Sequence, residues 1–381
     1  MGISTPIDYY KELGFAPVAL ETQDRHKHFG VRRRLYEKLG ISPRMITGSN
    51  ILEFGPGLGH NALYPLSLSP KEYHFVDGSQ ACLDSCQEMV KTNAVNAHIT
   101  YSTSLVDSFA SDELYDIVFC EAVLPIQCVN PAETALHAAS FTSSGGIFVA
   151  TCIDSVSILP DFIMRLIGQA CVDDTLSPLE QGEMLCPMFL PHLEALQNMG
   201  KTVVDWILNT VFQPIYGPVF SIGDAIKTLQ KDFQLLATVP SFTSDWRWYK
   251  NLCYPDHEYN AMVIDAYERN LHNLLDFSVV LPPRNDRGNA RLKELSDTFF
   301  QLCMEFEKKK TNTLLAQASE LVREISQNIE SIGPEAKTTA EKYKDAATAL
   351  RMVSENPIFP DCGRFTSLFG RTQHYVSFVR V

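Results

Sequence analysis

The stretch Ile51-Leu52-Glu53-Phe54-Gly55-Pro56-Gly57-Leu58-Gly59-His60-Asn61 decides how the rest of the chain is organised. Its first four residues have the pattern of a short buried strand. The alternating glycines that follow let the backbone turn sharply with no side chain in the way. Residues 61–66 can then open a helix, whose first N–H groups lack partners inside the helix. A strand, a glycine turn and a helix start together form a nucleotide-binding loop, because ligand atoms can approach bare backbone there.

Acidic residues stand at the ends of the first two predicted strands. Glu53 precedes the first glycine by two positions, where a carboxylate can accept two ribose hydroxyl hydrogen bonds or bind a cationic group. A second strand over 73–76 ends in Asp77-Gly78-Ser79, where a carboxylate would meet the ribose of a nucleoside lying across the strand ends. The dinucleotide fingerprint G-x-G-x-x-G needs glycine where this chain has His60, which disfavours a nicotinamide cofactor.

Two further buried strands are predicted over 115–121 and 145–151. These four pieces, in this order, resemble the class I S-adenosylmethionine-dependent methyltransferases over roughly residues 45–152, and more loosely over 221–250 and 373–381. The resemblance implies an α/β fold with a Rossmann-like seven-stranded methyltransferase sheet, large mostly helical insertions and an N-terminal helical arm. An ordinary α/β domain with an unrelated glycine loop is the competing interpretation.

The resemblance also implies that S-adenosyl-L-methionine is the cofactor. In the family, the turn after the third strand holds the adenine, and the end of the fourth strand lies beside the methionine part. Thr103 or Ser104 would serve the adenine here, with Asp107 the less favoured choice. The implied cofactor-binding residues are Glu53, Gly55, Pro56, Gly57, Gly59, Asp77, Gly78, Ser79, Thr103, Ser104 and Glu121.

Six segments are predicted along the chain. They are an N-terminal helical arm (1–44), the cofactor-binding core (45–152), a lid or substrate insertion (153–216), a core helix and sixth strand (217–250), a helical insertion (251–365) and a final core strand (366–381).

Local signals refine several of these segments. Ser221-Ile222-Gly223-Asp224 is a helix-start signature, and a strand is expected over 233–239. A weak third strand over 97–101 is expected to turn at 102–105. In the helical insertion, a helix is predicted over 258–277. Long helices over 290–332 and 335–354, broken at Gly333-Pro334, predict a helical hairpin.

Composition restricts the partners and the compartment. The net charge of −13 argues against a broad nucleic-acid footprint, which needs clustered Lys and Arg. The basic residues of 25–44 are either a solvated helix face or a contact for a phosphate or carboxylate on the substrate. Ten cysteines without a C-x-x-C pair predict buried free thiols in a reducing compartment and no metal site. No run approaches the ~18 apolar residues of a membrane span, so a cytoplasmic protein without membrane contact is predicted.

The predicted reaction is displacement of the sulfonium methyl group by a substrate nucleophile. Alignment of donor and acceptor matters most, since orientation alone can supply roughly 7–11 kcal/mol of the barrier. His60, Glu121 and Tyr249 are the candidate catalytic residues, with His26 also considered as a base. An Asn-Pro-Pro-Tyr signature of amino methylation is absent, so the acceptor is predicted to be a small molecule or a glycoside, methylated on O or N.

The acceptor is predicted to lie in a closed pocket above the strand ends. The N-terminal arm, the loop after Glu121, residues 153–216 and the aromatic run 246–249 can reach that edge and would roof it. Candidate rim residues on the arm are Tyr9, Tyr10, His26 and His28.

Two rival functions stay open beside the oxidoreductase that His60 disfavours. An aminopropyl transferase on the same fold would want an acidic polyamine channel, for which the acids of 173–194 are candidates. A non-catalytic protein could keep the fold only for binding. The sequence also leaves open a homodimer that forms through the C-terminal helices.

Overall fold

Seven strands form a single sheet. They are β1 Asn50–Phe54, β2 Glu72–Asp77, β3 His98–Thr103, β4 Tyr115–Cys120, β5 Thr142–Cys152, β6 Phe233–Val239 and β7 His374–Arg380. The structure is a computed structural model that describes residues 5–13, 24–93, 96–196, 200–242, 247–252, 256–284 and 287–381. The strand order is β3-β2-β1-β4-β5-β7-β6, with β1 to β5 parallel and β7 antiparallel to both of its neighbours. The predicted Rossmann-like seven-stranded α/β fold is confirmed.

The sheet belongs to a first compact unit made of Met1–Ile153, Pro214–Asp265 and Gln373–Val381. Its helices are α1 Pro6–Leu13, α2 Arg25–Lys38, α3 Pro43–Ile46, α4 Leu63–Ser67, α5 Gln80–Thr92, α6 Pro131–Ser140, α10 Ile222–Leu229 and most of α11 Asp256–Arg269. Residues of α2, α4 and α5 share one buried apolar cluster with the inner strands. Tyr36 of α2 stacks on Phe119 of β4 with ring centroids 5.3 Å apart, which holds α2 against this face of the sheet.

A second compact unit comprises Asp154–Gln213 and Ala266–Thr372. Its helices are α7 Ser155–Ala170, α8 Pro178–Glu194, α9 Val203–Ile207, α12 Arg287–Lys308, α13 Asn312–Glu330 and α14 Lys337–Glu355. A π-helical turn, Leu208–Phe212, follows α9. The predicted insertion 153–216 lies almost wholly in this unit, whereas the predicted insertion 251–365 begins in the first one. The functional division into six segments stays a prediction. Across the described part of the chain, no helix has both the length and the apolar character needed to cross a bilayer.

Several elements begin where local signals predicted. Ser221 caps α10: its side chain accepts from the Asp224 N–H, and the Asp224 carboxylate accepts from the Ser221 N–H in return. Strand β6 covers the expected residues 233–239. Strand β7 confirms the predicted final core strand. Each of these elements depends on residues close together in sequence, which is why the pattern alone was sufficient.

Three local predictions were wrong. Strand β3 continues through Ser102 and Thr103, expected in a turn, because both residues still pair with Val76 and Asp77 of β2. Helix α11 ends at Arg269 and is followed by a short 3-10 turn, Leu271–Leu274, where one helix to residue 277 was expected.

The predicted hairpin of two long helices is instead three helices. The stretch 290–332 is interrupted between Lys308 and Asn312, where Thr311 takes an extended conformation. The Thr311 side chain accepts a hydrogen bond from the Leu314 N–H and so starts α13 afresh. Threonine in a lysine-rich run was not recognised as an N-cap, and the break was therefore missed.

Candidate functional site

The glycine loop turns at the carboxyl end of β1. Gly55 and Gly59 have φ of +66° and +79°, a backbone region that side-chain-bearing residues rarely adopt. A Cβ on Gly55 would lie 2.4 Å from Cγ2 of Val123, and one on Gly59 would lie 2.4 Å from Cε of Met89. Both positions therefore require glycine. The chain continues into a 3-10 turn that starts at His60 and leads into α4.

The carboxylate at the end of β2 lies beside this loop. Oδ1 of Asp77 accepts a hydrogen bond from the Ser79 N–H at 2.8 Å. Burial raises the pKa of Asp77 to about 6, while hydrogen bonds from the backbone of Ser79 and Gly57 act in the opposite direction. Burial raises the pKa of the Tyr10 phenol in α1, and negative charge on Cys82 and Asp77 raises it further. The N-terminal arm therefore brings Tyr10 close to Asp77.

The end of β3 adjoins the same carboxylate. The Ser104 N–H donates to the Asp77 carbonyl at 3.0 Å, and the Thr103 hydroxyl donates to Oε1 of Gln80. Asp107, the less favoured adenine contact, is exposed. Thr103 and Ser104 thus lie next to Asp77, as a nucleoside site across the strand ends requires.

The carboxylate of Glu121, directly after β4, is hydrogen-bonded to Arg32. Its Oε2 and Oε1 accept hydrogen bonds from Nη1 and Nη2 of Arg32 at 2.9 and 2.6 Å, and Nη2 also donates to the Tyr36 hydroxyl at 2.6 Å. The two charged side chains are only 5% and 6% exposed. Since both of its oxygens are occupied by Arg32, Glu121 anchors α2 to the sheet in this structure and is a poor candidate for a base.

Glu53 lies on the face of the sheet beneath α2, in register with Phe75 of β2 and Phe119 of β4. Its Oε2 accepts a hydrogen bond from the Tyr73 hydroxyl at 2.5 Å. Burial raises the pKa of Glu53 to about 7, and the nearby negative charge of Glu121 adds to the effect. This position favours contact with a cationic group, the second of the two roles expected, over contact with a ribose.

Of the candidate bases, His60 lies in the glycine loop and is half-buried, and its role as a base stays a prediction. Its backbone carbonyl lies 3.0 Å from Nε2 of His28, and burial lowers the pKa of both imidazoles. A lowered pKa keeps an imidazole neutral at pH 7 and able to accept a proton. His26 is exposed.

Tyr249 is 69% exposed, and its ring packs against Trp248 with Lys250 beside both rings. Trp246, the other tryptophan of this run, lies outside the described residues. These contacts are all within one short segment, so the proposed role of Tyr249 in catalysis stays a prediction.

The loop after Glu121 is apolar and constrained. The Ala122 N–H donates to the Thr151 hydroxyl at 2.6 Å, and the Ile126 N–H donates to the Pro218 carbonyl at 2.8 Å. Ala122 and Ile126 both have φ of +57°, which is strained for residues with a Cβ, β-branched isoleucine above all. Val123 lies between them against Gly55, so this loop and the glycine loop share one side of the site.

Sequence reasoning missed three residues of this site. Arg32 was noted only as part of a basic run, Tyr73 only as the start of a strand, and Val123 only as loop. A signal for Arg32 existed: His28, Arg32 and Tyr36 recur at intervals of four and so share one face of α2. Nothing local identified Tyr73 or Val123, because their partners are remote in sequence.

The seven-stranded sheet agrees with the fold that the resemblance in the sequence implies. Neither a family model nor a curated protein matches the chain. Solved structures match the chain at low sequence identity. TehB from Haemophilus influenzae is 18% identical over 29% of this chain, with a TM-score of 0.26. The match spans only 38% of TehB itself.

Two other solved structures are named as methyltransferases. N-methyltransferase NodS from Bradyrhizobium japonicum WM9, in complex with S-adenosyl-L-homocysteine, is 16% identical over 39% of this chain and 75% of its own, with a TM-score of 0.32. Magnesium protoporphyrin IX methyltransferase from Synechocystis PCC 6803, with the same ligand bound, is 15% identical over 63% of this chain and 88% of its own, with a TM-score of 0.35.

Proposed function

We propose that this chain is an S-adenosylmethionine-dependent methyltransferase that acts on the oxygen or nitrogen of a small-molecule or glycoside acceptor. The observation that carries the proposal is the convergence of the glycine loop, Asp77 and the Arg32–Glu121 pair at the carboxyl ends of β1, β2 and β4. Ligands of open α/β sheets bind at this edge. Gly55 and Gly59, where a side chain would clash with its neighbours, lie at the same edge.

The residues present suit each part of the cofactor. Asp77 would accept the ribose hydroxyls, Thr103 or Ser104 would contact the adenine, and Glu53, Arg32 and Glu121 would face the charged methionine end. When bound, the cofactor supplies an electrophilic methyl group on a sulfonium. The protein's contribution is to hold donor and acceptor in line and to keep water away. His60, neutral at pH 7, is the residue we assign to accept the acceptor's proton where one must be removed.

The proposed acceptor is small because the N-terminal arm narrows the site. Tyr9 of α1 is buried, and Tyr10 lies beside Asp77, so the arm covers part of the strand edge. Deletion of residues 1–22 is expected to reduce turnover far more than cofactor affinity, measured once an acceptor is found. Full turnover by the truncated protein would contradict a roofed pocket.

Free thiols, including buried Cys82 and Cys86, support a cytoplasmic location.

A homodimer through the C-terminal helices is a further part of the proposal. Helices α12, α13 and α14 border a groove of about 600 Å³ that includes Leu302, Ala316 and Leu321, with Arg351 at its edge. Light scattering of the purified protein measures the mass directly. A monomer at all concentrations would contradict the dimer and leave the methyltransferase proposal untouched.

Isothermal titration calorimetry with S-adenosylmethionine, S-adenosylhomocysteine and NADH tests the cofactor. Binding of the first two without NADH is expected. Binding of NADH alone would overturn the proposal in favour of an oxidoreductase, and binding of none would favour a fold kept without its cofactor.

A further inference from the structure

The first segment of the second unit joins the first unit at two points, between Ile153 and Asp154 and between Gln213 and Pro214. Ile153 lies directly after β5, and its N–H donates a hydrogen bond to the Phe220 carbonyl at 2.9 Å. The chain that enters the second unit is therefore tied to the chain that returns from it. We call residues 214–218 the return link and residues 121–128 the β4 loop.

The return link binds Ile126, the β-branched residue of the β4 loop that has a φ of +57°. The Ile126 carbonyl accepts hydrogen bonds from the N–H groups of Tyr216 and Gly217 at 2.9 and 3.0 Å. The Ile126 N–H donates to the Pro218 carbonyl at 2.8 Å. Because both backbone polar groups of Ile126 are bound by the return link, the link holds this residue in its left-handed conformation.

Gly217 lets the return link approach the β4 loop more closely than a side chain would allow. A Cβ on Gly217 would lie 1.7 Å from the carbonyl oxygen of Cys128, far inside van der Waals contact. Gly217 is also buried. Since close-packed groups transmit displacements to each other, the β4 loop can change its conformation here only if the return link moves as well.

The strain in the β4 loop explains why such a support is needed. A residue with a Cβ pays a free-energy cost in the left-handed region, and this cost favours relaxation of Ile126. Strained residues persist where the surrounding structure over-determines them, and they cluster at functional sites. The β4 loop also contains Val123, which contacts Gly55 of the proposed cofactor loop. If Ile126 relaxed, Val123 would lose its fixed position against Gly55.

The residue before the return link is held firmly within the second unit. Nη2 of Arg165 donates to the Gln213 carbonyl at 2.6 Å, and Nε2 of Gln169 donates at 2.7 Å to the carbonyl of Val211, in the preceding π-helical turn. Arg165 and Gln169 belong to α7, whose N-cap is Asp154 at the first crossing. Helix α7 therefore anchors the chain both where it leaves the first unit and where it returns.

We propose that the return link positions the β4 loop for cofactor binding, and that the second unit fixes the link through α7. Ile126 and Gly217 are positioning residues, because they act on the ligand through Val123. The first segment of the second unit thus keeps the β4 loop in the strained conformation that binds. This inference rests on the proposed function, since it takes the cofactor to bind beside Gly55.

Substitution Gly217→Ala tests the contact between link and loop. The added Cβ must displace the return link from the Cys128 carbonyl and so break its hydrogen bonds to Ile126. The loop then relaxes, and only a fraction of the molecules keeps the binding conformation. In calorimetry, the dissociation constant for S-adenosylhomocysteine should rise about tenfold, the factor that the cost of one left-handed residue sets.

The matched control is Gly223→Ala. A Cβ on Gly223 would have its nearest neighbour, Oγ of Ser221, at 3.6 Å, which is an ordinary contact. Binding of S-adenosylhomocysteine by this variant should equal that of the wild type. Equal affinity of Gly217→Ala and Gly223→Ala would overturn the proposal.

Substitution Ile126→Gly distinguishes positioning from general damage to the fold. Glycine adopts the left-handed region about as readily as the ordinary one, so the loop loses its tendency to relax. In the Gly217→Ala background, Ile126→Gly should therefore recover most of the lost affinity, whereas Ile126→Gly alone should bind as the wild type does. A loss of affinity in Gly217→Ala that Ile126→Gly leaves unchanged would mean a merely structural role and would overturn the proposal.

Amide hydrogen exchange in the wild type tests the connection to the second unit, and it decides alone if Gly217→Ala fails to fold. S-adenosylhomocysteine should slow exchange in peptides that cover residues 208–217, on both sides of the unit boundary, more than in helix α13 of the same unit. Binding with no such difference overturns this inference alone. Failure of both S-adenosylhomocysteine and S-adenosylmethionine to bind the wild type overturns the proposed function and this inference with it.

Discussion

At the scale of the residue, Asp77 offers the most direct test of the nucleoside site. Substitution Asp77→Ala removes the carboxylate assigned to the ribose and should weaken cofactor binding by roughly 1.5–3 kcal/mol, the range for hydrogen bonds to a charged group. Glu88→Ala, which removes an exposed acid on the following helix α5, is the control and should leave binding unchanged. Equal affinity of wild type and Asp77→Ala in calorimetry would remove Asp77 from the ribose site.

Gly55 permits a separation of backbone strain from steric conflict. Gly55 and Gly48 have φ of +66° and +75°, but a Cβ would meet Val123 at Gly55 and open space at Gly48. Alanine at either position should cost about 1–2 kcal/mol of folding free energy from the left-handed backbone. Gly55→Ala should lose about 1–3 kcal/mol more through overpacking.

Val123→Ala in the Gly55→Ala background should restore only that second part, measured by urea denaturation of all four proteins. If Gly48→Ala and Gly55→Ala lost the same free energy of unfolding, the contact between Gly55 and Val123 would have no energetic weight.

At the scale of the element, Arg32 anchors α2. Arg32→Met leaves Glu121 buried without its partner and should lower the free energy of unfolding by about 3–5 kcal/mol. Arg34→Met on the same helix is the matched control. Arg34 pairs with Glu37, but its side chain is 72% exposed, so the loss should be about 0–1 kcal/mol. Similar losses for the two variants in denaturant melts would mean that α2 is held by its apolar contacts alone.

The same elements show what could be predicted from the sequence. Strand β1, the glycine loop, β6 and the start of α10 at Ser221 follow from residues adjacent in the chain, and each was placed correctly. The Arg32–Glu121 pair joins residues 89 positions apart, and the Tyr73–Glu53 hydrogen bond joins residues 20 apart. No local pattern specifies such partners. They follow only from the strand order and register, which bring the ends of β1, β2 and β4 together.

At the scale of the whole molecule, each unit contains a buried carboxyl group with a raised pKa. Burial raises the pKa of Glu53 in the first unit and of Asp161 in the second to about 7. A folded-state pKa above the unfolded one means that the folded state holds the proton more tightly. Each carboxyl group therefore contributes stability that is fully present below pH 4 and is lost as the pH rises to about 7.

Histidines with a pKa lowered by burial, His28, His60, His74 and His192, act in the opposite direction over the same pH range. The expected result is therefore a difference between proteins: from pH 5 to 7.5, the melting temperatures of Glu53→Gln and Asp161→Asn should each rise more, or fall less, than that of the wild type. The effect of Glu53 corresponds to about 3 kcal/mol across the full window, at 1.36 kcal/mol for each pKa unit. Scanning calorimetry at several pH values measures it. A variant whose melting temperature shows the same pH dependence as the wild type would contradict the assignment for its residue.

The placement of β7 has a consequence for synthesis on the ribosome. This strand fills the gap between β5 and β6, yet it follows both of them and most of the second unit in the chain. While residues 374–380 are still untranslated, the facing edges of β5 and β6 have no antiparallel partner, and such edges invite pairing with other nascent chains. The second unit can fold during this interval, because its residues emerge first. Closure of the sheet is therefore a late step of folding during synthesis.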